Sequence, residues 1–296
     1  MKYLSFLFIL SILACKNSPN SSISETYESR NLSKDFKDYW YDGKAELTSY
    51  ELTQYRYGEK RKGTAVLIFV SEDFLPEQQV KANQQNPSNI NVMKLNATKS
   101  FNTGIYPYHI LESTFLPLIE KRPVLKIASS TQEWCGQTYA QLNHRDNFEI
   151  VSHSYFEGEA DQNLNISPVL TENELWTRLR IQPRKIETGT QELLPSFAFI
   201  RLNHIDIKPY SAKIQQYENE FLVTEVNYDS INRNLKIYQN KNFPFEIEQW
   251  EEIQIKNKDT LVTSAKKMER LKVKYWQMNS NKYLNLRDTL NLRLYD

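Results

Sequence analysis

Cysteine is nearly absent: Cys15 and Cys135 are the only two in 296 residues. If Cys15 is modified, as argued below, Cys135 has no thiol to pair with, and an intramolecular disulfide is excluded even in an oxidising compartment. An excess of one charge is missing too. The 37 Lys and Arg stand against 36 Asp and Glu, so no basic stripe calls for nucleic acid. No two of the four histidines are close enough in sequence to share a metal locally, so neither a metal nor another cofactor is implied. Glycine- and proline-rich linkers are lacking in the middle of the chain, and no internal repeat is visible. The longest apolar run, Leu4–Leu13, is too short to span a bilayer as a helix.

What is present is aromatic. Eighteen Tyr, 14 Phe and 5 Trp are enough to fill much of a large core. Most of the chain reads as short strands at roughly ten-residue spacing. Thr64–Val70 is a continuous apolar run of strand length, expected at the sheet centre. Ile90–Phe101 alternates, with Val92, Lys94 and Asn96 on one face and Met93, Leu95 and Ala97 on the other. Gly58–Gly63 reads as a charged hairpin turn, Ser196–Leu202 as a strand, and Pro107 pushes its strand toward an edge or bulge. Two short helices are expected. Ser33 caps Lys34–Tyr41, and Thr171 with Glu174 forms a capping box before Pro183 stops the second helix. The expected fold is therefore mainly β: a large antiparallel curved sheet, half-barrel or sandwich with two short helices.

The start of the chain has its own logic. Lys2 is a short positive region, Leu4–Leu13 an apolar one, and Ile12-Leu13-Ala14-Cys15 resembles the lipobox of bacterial lipoproteins. The resemblance implies removal of residues 1–14 as a signal peptide and lipidation of Cys15. The other reading is an ordinary secretory signal with a chance cysteine. With Lys16 rather than Asp after the cysteine, the periplasmic face of the outer membrane is the expected location. Residues 15–33, Ser- and Asn-rich, read as the lipidated cysteine and a flexible tether. Residues 34–296 read as a single β-rich domain, with any sub-boundary near 160–195.

Candidate chemistry gathers in Ser129–Asp161. Trp134-Cys135-Gly136 resembles the thioredoxin motif, but Thr138 replaces its second cysteine, so dithiol exchange is excluded. Cys135 with His144 or His153 is the candidate pair for a cysteine-dependent hydrolase; a structural cysteine is the commoner case. Glu157, Glu159 and Asp161 alternate like half a calcium loop that then lacks its glycine and closing Glu, leaving a solvated acidic turn. Lys266, Lys267, Arg270, Lys272 and Lys274 suggest an edge strand or a solvent face.

Residues Tyr39–Leu52, Thr64–Phe74, Ser129–Asn143, Ser154–Asp161 and Tyr275–Leu290, with the lipobox, look like a family of uncharacterised flavobacterial-type lipoproteins. Some members carry the label septum formation inhibitor Maf, but the S-x-S-P-R-R-type loop of true Maf nucleotide pyrophosphatases is absent. The resemblance brings no catalytic residues. The function expected is a lipid-anchored, non-enzymatic binder of an apolar or lipid-like ligand, or of an envelope partner. Trp134, Tyr139, Tyr155 and Phe156 are its candidate ligand-binding residues.

Overall fold

The computed structural model describes residues 27–256 and 259–292; the expected signal peptide, Cys15 and most of the tether lie outside them. Residues 27–33, assigned by sequence to the tether, lie on the body. Ser29 bridges Glu120, the buried Arg30 guanidinium donates to the Glu120 carbonyl at 2.9 Å, and Leu32 joins the core. Ser33 then caps α1 (Lys34–Trp40) by accepting from the Phe36 N–H at 3.1 Å, and the helix buries Phe36 and Trp40.

Strands β1 (Ala45–Arg56) and β2 (Glu59–Leu75) are joined by Tyr57 and Gly58 alone, both at positive φ. The charged stretch expected as a turn is thus mostly strand. Its charges are tolerated because β2 has only β1 beside it there; pairing with β4 (Ile90–Thr103) starts at Gly63. The chain continues through β3 (Val80–Lys81), β5 (Tyr106–Pro117), β6 (Lys126–Glu133), β7 (Gly136–His144), β8 (Phe148–Ser154) and β9 (Gln162–Ile166). After β10 (Leu170–Thr171) and α2 (Glu172–Ile181) come β11 (Gly189–Leu194), α3 (Phe197–Asn203), β12 (Tyr210–Glu218) and β13 (Leu222–Tyr228). The remaining elements are β14 (Arg233–Gln239), β15 (Ile247–Lys256), β16 (Asp259–Val273) and α4 (Asn285–Thr289).

All sixteen strands form one curved sheet. It runs from β10 through β16 to β1, then from β2 out to β9, and only the β10–β11 pair is parallel. Its two edge strands are neighbours in sequence. The four steps from Ile166 to Leu170 reach about 14 Å at most, so the sheet must roll until its edges nearly meet, although no ladder joins β9 to β10.

Helices fill the roll. The capping box of α2 is complete, and Leu175 and Leu179 pack with Tyr50, Leu67, Ile237 and Trp250 from opposite arms of the sheet. Trp176 meets Trp250 edge-on at 5.3 Å. Residues 197–203, expected as a strand, are instead α3, with Ser196 accepting from the Phe199 N–H. A seven-residue stretch with five apolar residues, Phe197–Ile200 and Leu202, is too short for periodicity to separate strand from buried helix; the cap decides it. Counting α4, the described residues hold four α-helices where two were expected. Pro107 lies in an interior strand, outside the β5–β6 ladder, which begins at His109. Strand β16 likewise lies between β15 and β1 rather than at an edge, and its cations meet acids. Lys267 reaches Glu248 at 3.1 Å and Lys272 reaches Asp42 at 3.0 Å. Among the described residues no helix is long and apolar enough to cross a membrane.

Candidate functional site

An antiparallel meander sends alternate turns to the same end. The β1–β2, β4–β5, β6–β7 and β13–β14 turns share one rim of the roll, where α3 also ends. Between the β1–β2 arm, the β15–β16 arm and the end of α3 lies a cleft of about 400 Å³. Gln54, Tyr55, Arg56, Lys99, His204, Glu252 and Gln254 supply most of its polar lining.

The cleft is fixed by Arg56, which is 8% exposed. Its guanidinium donates to the Leu202 carbonyl at the end of α3 and to the Tyr57 hydroxyl at 3.2 Å. Tyr57 and Tyr108 share a hydrogen bond of 2.7 Å, and burial followed by the Tyr57 bond pushes the Tyr108 hydroxyl up. One arginine thus ties the helix end to the first hairpin.

The floor is a chain of matched charges. Lys99 Nζ is 2.7 Å from Glu252 Oε1, and Arg233 Nη2 is 3.2 Å from Glu252 Oε2. Burial opposes ionisation of Glu252, but Lys99 and Arg233 outweigh it and hold the carboxyl at about 2. Behind it Arg233 grips both oxygens of Glu172, which also accepts from the Tyr228 hydroxyl at 2.9 Å. Arg233 also lies 3.9 Å from the centre of the Phe199 ring. Glu112, on the neighbouring strand, differs. Burial raises its carboxyl against the opposing hydrogen bonds from Asn173 Nδ2 (3.1 Å) and the Ala198 N–H (2.9 Å).

Beside the cleft, Glu159 accepts from Arg201 at 3.0 Å and lies 2.8 Å from His204 Nδ1. Asp161 turns the other way, to His153 Nδ1 at 3.2 Å and the Ser154 N–H. The acidic alternation therefore diverges, and among the described residues no three His, Cys, Asp or Glu side chains converge to hold a metal.

The sequence candidates for chemistry lie elsewhere. Cys135 is exposed in the β6–β7 turn, and a hydrogen bond to Glu133 pushes its thiol up. His144 is buried at the far end of β7, edge-on to Phe148 at 5.0 Å. Nine strand residues separate it from Cys135, about 30 Å. His153 pairs across from Tyr139, four residues or about 13 Å along the strand from Cys135. Cys135, Tyr139, His153 and Tyr155 do line one open groove, but Tyr139 and His153 lie on the convex face, away from the helices. Trp134 is 69% and Tyr155 79% exposed, while Phe156 lies under the Arg201 guanidinium at 4.2 Å.

The cleft residues carry a signal in the sequence that is one of strand phase rather than of motif. Extending the Met93, Leu95, Ala97 face by two residues places Lys99 in an apolar phase. Glu252 follows Trp250 in the same way, Glu112 follows Ile110, and Arg233 precedes Leu235 and Ile237. A charge in the inward phase of a strand marks a buried polar layer. No protein-family model, curated protein or solved structure matches this chain.

Proposed function

We propose that this is a lipid-anchored protein of the periplasmic face of the outer membrane, attached through Cys15, which binds its ligand without transforming it. The mouth cleft would take the polar head of a lipid-like molecule. The observation that carries this reading is the cleft itself: its volume suits a small ligand, and its floor is a set of ions already neutralised by one another. The Gln254 amide remains to hydrogen-bond an uncharged or weakly charged head. Gln54 Oε1, unpartnered among the described residues, is available beside it, since the Gln54 amide nitrogen already donates to the Tyr55 carbonyl and Thr263 Oγ1. The aromatic load is packed in the core around α1, α2 and α3 rather than lining the cleft. That favours recognition of a head over enclosure of a tail.

Native mass spectrometry of protein taken from its own envelope tests the ligand. A co-purifying small molecule is expected in the wild type and lost in the Gln54→Leu, Gln254→Leu double variant. Wild-type protein carrying no such mass, or only a bound envelope protein, would refute the cleft reading. Incorporation of labelled palmitate that survives Cys15→Ser would refute the anchor.

A further inference from the structure

The same rim carries a second feature, which shares only Tyr57 with the cleft. Four turn apexes present large apolar side chains to solvent. Tyr57 is 58% exposed, Ile105 85%, Trp134 69% and Tyr155 79%. Turns are where polar residues and glycine serve best. Unlike Tyr57 with its bonds to Arg56 and Tyr108, the side chains of Ile105, Trp134 and Tyr155 make no hydrogen bond among the described residues that calls for a large group there. Three of the apexes are continuous. The Trp134 ring lies 6.4 Å from that of Tyr106, nearly parallel, which joins the β4–β5 and β6–β7 turns. A Cβ added at Gly136 would stand 3.1 Å from the Tyr155 ring, which joins β6–β7 to the segment after β8. Two and four residues beyond Gly58, on the fourth apex, Lys60 and Lys62 are exposed on the β1–β2 arm.

We propose that this crest docks on the surface of a lipid bilayer, with Ile105, Trp134 and Tyr155 inserted at the level of the headgroups. The chemistry favours lipid over a protein partner. Trp and Tyr are the side chains that settle at a membrane interface, where one end of the ring is apolar and the other wet. Lys60, two residues behind the apex, lies where lipid phosphates would be, and Lys62, two residues farther back, adds to the positive charge facing the bilayer. This contact is additional to the proposed anchor at Cys15. Twelve residues from Cys15 to Tyr27 span about 40 Å at full extension, comparable to the length of β1, so the two contacts are compatible on one bilayer.

Cys135 sits at the crest and makes a reporter. In the full chain carrying Cys15→Ser, a nitrobenzoxadiazole label on Cys135 should brighten severalfold and shift to the blue on mixed phosphatidylethanolamine–phosphatidylglycerol vesicles. The local readout separates crest insertion from any binding by the N-terminal segment. Ile105→Ser and Tyr155→Ser should each weaken the response about tenfold in lipid concentration. Leu284→Ser, at a position 61% exposed on the opposite end, should leave it unchanged. The proposal is overturned if vesicle-bound protein keeps its aqueous spectrum, or if the two crest variants respond like the parent. It is equally overturned if brightening needs only a second copy of the chain, with no vesicles present.

Discussion

Lys99 and Glu252 are 153 residues apart in the chain and 2.7 Å apart on the cleft floor. Each comes from a different arm of the rolled sheet, so their contact reports directly on how the arms are set. Because Arg233 shares the same carboxylate, removing Lys99 leaves Glu252 with one cation in a largely buried place. Lys99→Met should cost roughly 2–4 kcal/mol, the scale for breaking a buried pair from one side. Urea unfolding checks it; a loss below about 0.5 kcal/mol would mean the pair is only incidental.

The same carboxyl sets an acid limit. Its folded value of about 2 lies below that of an unfolded Glu, so the unfolded chain binds more protons between the two values. This stability is present above about pH 4.5 and is lost as pH falls toward 2. Acid titration followed by circular dichroism should show wild-type stability falling through that window, and Glu252→Gln should flatten the fall. An unchanged slope in the variant would show that other carboxylates govern it.

At Gly63 the β2 backbone passes close to β4. A Cβ there would be 2.3 Å from the Ser100 carbonyl oxygen, a backbone atom that cannot swing aside. Gly63→Ala should cost about 1–3 kcal/mol, as overpacking does. Gly158→Ala, with open space around it, is the control expected to be near neutral. Equal melting temperatures for the two variants would contradict the close approach.

Glu174 serves two elements at once. Its carboxylate accepts from the Thr171 N–H at 3.2 Å, closing the capping box, and from the Val124 N–H at 2.7 Å, holding the start of β6. Thr171→Ala removes only a cap and should cost about 1 kcal/mol. Glu174→Ala should cost more, since it also strands a buried N–H. Chemical unfolding of both variants checks the order; a milder effect at Glu174 would refute its double role.

For Cys135 the expectation is availability without activation. The thiol is exposed but its Glu133 hydrogen bond raises it above the ordinary value, so thiolate is scarce at neutral pH. Iodoacetamide should label it in the native state, slowly at pH 7 and faster as pH rises past 9. Fast labelling at neutral pH would instead indicate an activated nucleophile.

Much of the fold was legible because its signals are local. The Ser33 cap, the Thr171–Glu174 box and the alternation of Ile90–Phe101 depend on neighbours within a few residues. Residues 197–203 are not legible in the same way, because their five apolar residues fit either a strand or a buried helix and only the Ser196 cap separates the two. The site was less legible. Motif spacing drew attention to Cys135, His153 and Tyr155, which fold into exposed positions at or near the rim. Lys99, Glu112, Arg233 and Glu252 belong to no motif, and only the strand phase marks them.

By itself the amino-acid sequence determined a mainly antiparallel, aromatic-filled β body, because side-chain alternation and turn chemistry act over short range. Only the tertiary structure decided that β9 and β10 approach each other, that α2 and α3 fill the roll, and that Lys99 meets Glu252 beneath an open cleft. Those outcomes depend on how far the sheet twists and on which strands pair across a hundred residues or more, and no local pattern encodes a sum of that kind.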